Sequence, residues 1–284
     1  MRKYTTKQTG KKYTTDYKLY ITDEKGIISP FHDIPLFNGN GNGIVSVINE
    51  IPRFENGKFE ISKEEKMNPI KQDIKKNKLR FVANVFPFKG YPWNYGALPQ
   101  TWENPDTCDP LAGLNGDNDP IDVIEIGKIQ KKIGEVYSAK VLGCLGLLDE
   151  GECDWKIIVI DINDENASKI NDIDEIDNYY PGLLEATTRW FRYYKVPDNK
   201  PENLFAFGGK FLNKDIAFGV IKEAHENWNK LINTEIGKDI SKTNRSLIAN
   251  QYILNEDFKV EGNISLEEGE VTSSVYEFFY VSNK

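Results

Sequence analysis

The chain has 284 residues, 39% of them hydrophobic, and a formal net charge of −8. That length suits one large domain or two small ones with a sizeable core, and the negative charge disfavours non-specific binding to nucleic acid. Two histidines, His32 and His225, and three scattered cysteines, Cys108, Cys144 and Cys153, leave no zinc cluster, no disulfide framework and little basis for a serine–histidine triad.

Along the chain, Tyr17-Lys18-Leu19-Tyr20-Ile21 alternates weakly and reads as an edge strand or arm. Asn38-Gly39-Asn40-Gly41-Asn42-Gly43 reads as a loop, because it lacks the spacing and the following Lys-Ser or Lys-Thr of a phosphate cradle. Short segments bounded by Gly, Pro, Asn or Asp then predict strands at 45–51, 58–61, 79–82, 122–126, 135–141 and 155–162. Their spacing fits a small closed barrel better than alternating βαβ units. Two helical stripes follow. Leu183, Leu184, Thr187, Trp190, Phe191 and Tyr194 form the first, and Ala217, Val220, Ile221, Ala224, Trp228, Leu231 and Ile232 the second. From Thr234 the pattern is irregular and acidic, which predicts a tail (234–284) wrapping on or extending from a domain that spans 1–233. The polar start and the short, Asp161-broken apolar run at 157–162 carry no targeting or membrane signal, so a cytoplasmic protein with no membrane partner is expected.

The chemistry concentrates in Gly116-Asp117-Asn118-Asp119-Pro120-Ile121-Asp122. Two unit charges ~5 Å apart at an effective dielectric of ~20 repel by ~3 kcal/mol, so such a cluster persists around something positive. Oxygen donors suit a hard ion such as Mg²⁺. An EF-hand loop fails here, with Asp122 where glycine is needed and Lys128 where glutamate is needed. Pro120 disfavours helix at Asp119 and predicts an extended run that aims Asp117 and Asp119 to one side. The alternative is a solvated acidic turn.

Other charged groups point to the same site. Asp149 and Asp154 bracket a turn. Asp154 shares a strand face with Lys156, as Lys58 does with Glu60. Arg80 on an apolar strand needs a carboxylate or a phosphate as partner. Tyr91, Tyr95, Tyr194 and Lys195 supply phenols and a further cation, although an aromatic cluster of this kind also suits a core or a stacking platform for single-stranded bases. Carboxylates, oxyanion-binding cations and no nucleophile motif together suit metal-assisted transfer of a phosphoryl group to water.

These motifs resemble the soluble family I inorganic pyrophosphatases in their longer eukaryotic form. Asp117-Asn118-Asp119-Pro120-Ile121-Asp122 fits that family's Asp-x-Asp-Pro-x-Asp signature, and Phe31-His32-Asp33-Ile34-Pro35, Asn84-Val85-Phe86-Pro87, Asn94-Tyr95-Gly96, Leu148-Asp149-Glu150-Gly151, Asp154-Trp155-Lys156 and Phe191-Arg192-Tyr193-Tyr194-Lys195 follow in its order. The resemblance covers about residues 4–232. It implies a mainly β, α+β protein built on a five-stranded OB-like closed barrel with flanking helices. It also implies hydrolysis of pyrophosphate with several Mg²⁺ ions per site, Mn²⁺ being an alternative. By position it implies Asp117, Asp122 and Asp154 as principal metal ligands, joined by Glu60 and Asp149. It implies Asp119 as the base toward the attacking water, with Tyr95 near it. Lys58, Arg80, Lys156, Tyr194 and Lys195 would hold the phosphates, and Glu50 would support the cationic rim. Where fungal relatives carry a tryptophan and histidines at a dimer contact, this chain has Phe54, Phe88 and Lys89, which makes a homodimer through that surface less secure than the chemistry.

Overall fold

Two β-sheets and two principal helices carry the architecture, described from a computed structural model for residues 3–37, 43–247, 250–254, 256, 258–260 and 264–281. In chain order the main elements are β1 (Thr5–Lys12), β2 (Lys18–Asp23), β3 (Ile44–Ile51), β4 (Phe59–Ile61), β5 (Ile70–Gln72), β6 (Asn94–Ala97), β7 (Asp122–Glu125), β8 (Val136–Asp149) and β9 (Glu152–Asp161). The helices α1 (Leu183–Tyr193) and α2 (Lys214–Asn233) and the strand β10 (Ile264–Glu268) follow. The first sheet runs β10-β1-β2-β5-β4. In the second, β3 pairs with β6, β6 with β7, β7 with β9, β9 with β8, and β8 with β3 again. The fold is therefore mainly β with flanking helices. The five strands do not stand evenly round one axis as a closed barrel would. One pair, β7–β9, is parallel, and register shifts interrupt β6–β3 and β8–β9.

Side-chain alternation explains how this sheet buries both faces. Cys153, Trp155, Ile157 and Val159 of β9 pack with α2 through Ala217, Val220, Ile221 and Ala224, while Ile158 and Ile160 face the other core. On β8, Tyr137, Ala139 and Val141 face α2, but Cys144 takes that role after the shift at Val141/Gly143, and Leu142, Leu145 and Leu147 turn inward. The β8–β9 hairpin closes through Glu150 and Gly151, whose φ angles of 50° and 99° are the two left-handed positions of a tight two-residue turn. Asn213 caps α2 by accepting from the Ile216 N–H, and that helix buries the seven positions its sequence pattern predicts. The stripe predicted for α1 is met in part. Thr187, Trp190 and Phe191 are buried, and Tyr194 stands at the C-cap.

Several local expectations are corrected. The N-terminal segment is not an edge, because β2 lies between β1 and β5, and Leu19, Tyr20 and Ile21 are buried. Residues 79–82 do not form a strand. Only Lys78–Leu79 pairs as one, and Phe81 makes a single bridge to Gly57. β6 is a strand that the sequence did not suggest, since Gly96 interrupts its pattern. A Cβ there would stand 2.0 Å from the Ile48 carbonyl oxygen, so close is β3. The tail is partly ordered into sheet: β10 runs parallel to β1, and Phe278–Phe279 pairs with Asn84–Val85. The predicted loop at 38–43 lies, apart from Gly43, outside the described residues. No helix among the described residues is long and apolar enough to cross a membrane.

Candidate active site

At one end of the five-strand ring the inward faces change from apolar to charged. On β9, Ile160 and Ile158 are followed on the same face by Lys156 and Asp154, and on β7 Ile124 is preceded by Asp122. These charged groups line a cavity of about 230 Å³ together with Glu50, Lys58, Glu60, Arg80, Tyr91, Tyr95, Asp117, Asp119, Asp149, Tyr194 and Lys195. Every site residue named from the sequence thus reaches one cavity. β3, β4, β6, β7, β8, β9 and the C-terminal end of α1 deliver most of them, and Lys58, Arg80, Tyr91, Asp117 and Asp119 come from the connecting segments.

Opposite charges pair across it. Lys156 lies between Asp122 and Asp154, Lys195 meets Asp149, and Lys58 stands 2.5 Å from Glu60. The Tyr95 hydroxyl donates to Asp122 Oδ2 at 2.5 Å. Arg80 donates from Nη1 to Asp73 Oδ2 at 3.0 Å. Glu50 spans the two sheets by accepting from the Ile61 N–H at 2.7 Å. The aromatic cluster is core and wall rather than a stacking platform: Tyr91, Trp93 and Tyr95 are buried, and the Trp190 ring stacks on that of Tyr194 with centroids 4.7 Å apart.

The Asp117–Asp119 segment is bent, not extended as expected. Asn118 adopts φ 70°, and the Asp119 N–H donates back to Asp117 Oδ1 at 3.0 Å. An Asx-type turn of this kind competes well with extended backbone, and both carboxylates still face the cavity.

Burial governs the protonation of the acids. Burial and then the Asp154 carboxylate push Asp117 well above the usual range. Burial also raises Asp154, to about 7, with Asp122 adding to the shift and Lys156 opposing it. Glu50 is raised by burial and by Asp122. Burial pulls Lys156 down, but Asp122 and Asp154 outweigh it and hold the ammonium charged. The Tyr194 phenol is raised chiefly by burial, so it remains a donor at neutral pH.

Three residues at the site escaped the sequence reading. Lys63 stands 2.6 Å from Asp119 Oδ1 and donates to the Asn118 carbonyl at 2.9 Å. Asp73 is brought beside Lys58 and Arg80 by backbone bonds to both, Asp73 N–H to Lys58 O and Arg80 N–H to Asp73 O, each 2.8 Å. Glu103 is buried, and one oxygen each from Glu103, Asp117 and Asp154 lie within 4.8 Å of one another. Glu103 is a single charge and Lys63 opens the charged run Lys63-Glu64-Glu65-Lys66, neither with a periodic signal, whereas Lys58 and Glu60 were legible from alternation. The histidines lie apart from the cavity lining. His32 is fully buried, accepts from Trp228 Nε1 at 3.0 Å, and has its pKa lowered by burial to about 4.

An all-oxygen set with buried unpartnered atoms, Asp149 Oδ1 and Glu103 Oε2, fits a hard divalent cation. Zinc-type nitrogen and sulfur donors are missing from the lining.

Comparison with known proteins agrees with this chemistry. A sequence model of the family described as inorganic pyrophosphatase matches residues 47–229. The inorganic pyrophosphatase of Encephalitozoon cuniculi is 55% identical over 284 residues, covering 99% of this chain and 100% of that relative. The solved inorganic pyrophosphatase of Schistosoma japonicum superposes with a TM-score of 0.90 at 45% identity, covering 98% of this chain and 100% of that one. An N-terminally truncated vacuolar soluble pyrophosphatase of Trypanosoma cruzi, solved in complex with PPi, gives a TM-score of 0.76 at 41% identity over 81% of this chain and 92% of that one.

Proposed function

The chain belongs to the eukaryotic-type family I inorganic pyrophosphatases and hydrolyses inorganic pyrophosphate to two orthophosphates; from that premise we propose that the acidic cavity is where the reaction occurs and that its residues divide into metal-holding, substrate-holding and proton-accepting groups. The observation that carries this reading is the convergence of carboxylates from separate stretches with Lys58, Arg80, Lys156 and Lys195 in one cavity.

Asp117, Asp122 and Asp154, with Glu60 and Asp149, are the residues that would hold the ions, for which the oxygen donors favour several Mg²⁺, with Mn²⁺ as an alternative. When bound, such ions screen the phosphate charge and make a water more acidic. Asp119 accepts the proton of the attacking water. Tyr95 holds Asp122 in orientation through its hydroxyl. Arg80, kept in place by Asp73, presents its remaining donors to a phosphate oxygen. Tyr194 adds a neutral donor. Lys58, Lys156 and Lys195 neutralise the phosphates and the leaving group, and each gives up a carboxylate contact to do so.

The five-strand ring is read as an OB-like barrel, residues 1–233 as the catalytic domain, and 234–284 as a tail packed on it. The protein acts in the cytoplasm. A homodimer is part of this reading, with Phe54, Phe88 and Lys89 weakening the case for the surface that fungal relatives use.

Phosphate release by the purified Asp119→Asn variant tests the assignment. Turnover is expected to fall roughly 10²–10⁴-fold with the melting temperature retained, the loss typical of a general base. Near-native turnover would remove Asp119 from that role.

A further inference from the structure

We propose that Glu103 is a metal-holding carboxylate of this centre, forming with Asp117 and Asp154 a three-acid pocket for one divalent cation. The inference rests on the reading of Asp117 and Asp154 as metal ligands.

Glu103 is 6% exposed, and its two oxygens are unequal. Oε1 accepts from the Trp155 N–H at 3.0 Å, whereas Oε2 is buried without a hydrogen-bond partner among the described residues. Oxygens of Glu103, Asp117 and Asp154 share a space no wider than 4.8 Å. The backbone gives these groups little freedom to separate. The Glu103 N–H donates to Asp119 O and the Asn118 N–H donates to Glu103 O, both at 2.9 Å. Gly116 permits this approach, since a Cβ there would meet the Glu103 carbonyl carbon at 2.5 Å.

Charge is also unevenly compensated. Lys58, Lys63, Lys156 and Lys195 pair with Glu60, Asp119, Asp122 with Asp154, and Asp149, respectively. Among the described residues neither Glu103 nor Asp117 has an ion pair. The cation-poor group of acids, Glu103 with Asp117 and Asp154, is thus the one holding an orphaned carboxylate oxygen. A divalent cation seated there would satisfy that oxygen, while Oε1 keeps the side chain aimed by its bond to Trp155.

Mn²⁺ serves as the probe, with free ion followed by its paramagnetic resonance signal in the absence of substrate, together with thermal melting. Glu103→Gln keeps the acceptor for the Trp155 N–H and removes the charge. It is expected to raise the tightest Mn²⁺ dissociation constant at least about 10-fold while the metal-free melting temperature holds or rises. A purely structural glutamate would show the reverse, a lower melting temperature and native Mn²⁺ affinity. Asp117→Asn separates the two levels of inference. If it weakens Mn²⁺ binding and Glu103→Gln does not, the role of Glu103 is overturned and the centre stands. If neither variant changes Mn²⁺ affinity, the metal assignment itself fails. Should Glu103→Gln not fold, Glu103→Asp, one methylene short, is expected to weaken the same site about 10-fold, and unchanged affinity would overturn the proposal.

Discussion

Asp154 shows how burial couples protonation to stability. Its folded pKa of about 7 lies above the ordinary carboxylate value. Below the unfolded pKa both states are protonated, and its carboxyl does not oppose folding. As pH rises toward about 7 the unfolded chain ionises first, so the Asp154 contribution to metal-free stability falls through that window. Asp154→Asn should remove this dependence. The variant's melting temperature relative to the native protein, both metal-free, is expected to rise between about pH 5 and pH 8, and a constant difference would contradict the assignment. Arg80 poses a separate question of binding. If Arg80 holds a phosphate as proposed, Arg80→Ala loses a charge-assisted hydrogen bond worth about 1.5–3 kcal/mol, and kcat/KM for pyrophosphate is expected to fall roughly 10–100-fold, mainly through KM. Native steady-state constants would dismiss the contact.

Elements bring these residues together by close backbone approach. At Gly96 the β6 backbone lies against β3, and Tyr95 beside it reaches Asp122. Gly96→Ala is expected to destabilise the fold by about 1–3 kcal/mol by overpacking, measured by denaturant unfolding, and a neutral result would show that the strands can part at no cost. The start of the tail is tied just as closely. Ser241 N–H donates to Lys63 O at 2.7 Å, and Asp33 Oδ1 accepts from Arg245 N, Ser246 N and Ser246 Oγ at 2.7–2.8 Å. Asp33→Ala leaves these donors without their acceptor, for a loss of about 2–4 kcal/mol; unaltered unfolding would show that the tail is held by other contacts.

These elements also separate what was legible from what was not. Asp154 with Lys156 and Lys58 with Glu60 follow from the two-residue period of a strand, and α2 from its apolar stripe. The site residues of the 117–122 signature were visible as a charge density too costly to leave uncompensated. Glu103, Lys63 and Asp73 were silent, because loop backbone pairing brings Glu103 and Asp73 to the site and Lys63 reaches Asp119 by its side chain, none of which leaves a periodic pattern. β6 was silent because the glycine that lets it pack also breaks its pattern, and the bend at Asn118 because Asx-turn chemistry overrode the extended conformation expected before Pro120.

At the scale of the molecule, a mainly apolar ring ends in a pocket of carboxylates that its own lysines neutralise only in part. Such a protein gains stability from whatever cation fills the remainder. At ~100 times the dissociation constant, a ligand specific for the folded state adds ~2.7 kcal/mol, so adding Mg²⁺ to metal-free protein should raise its melting temperature by several degrees. An unchanged curve would separate fold from metal. The most direct test is orthophosphate release from pyrophosphate by the purified chain, titrated with Mg²⁺ and then with excess chelator. Two phosphates per substrate, a rate that saturates with Mg²⁺, and silence once the ion is withdrawn are expected. Release that continues undiminished in chelator, or none at any Mg²⁺ concentration, would contradict that expectation.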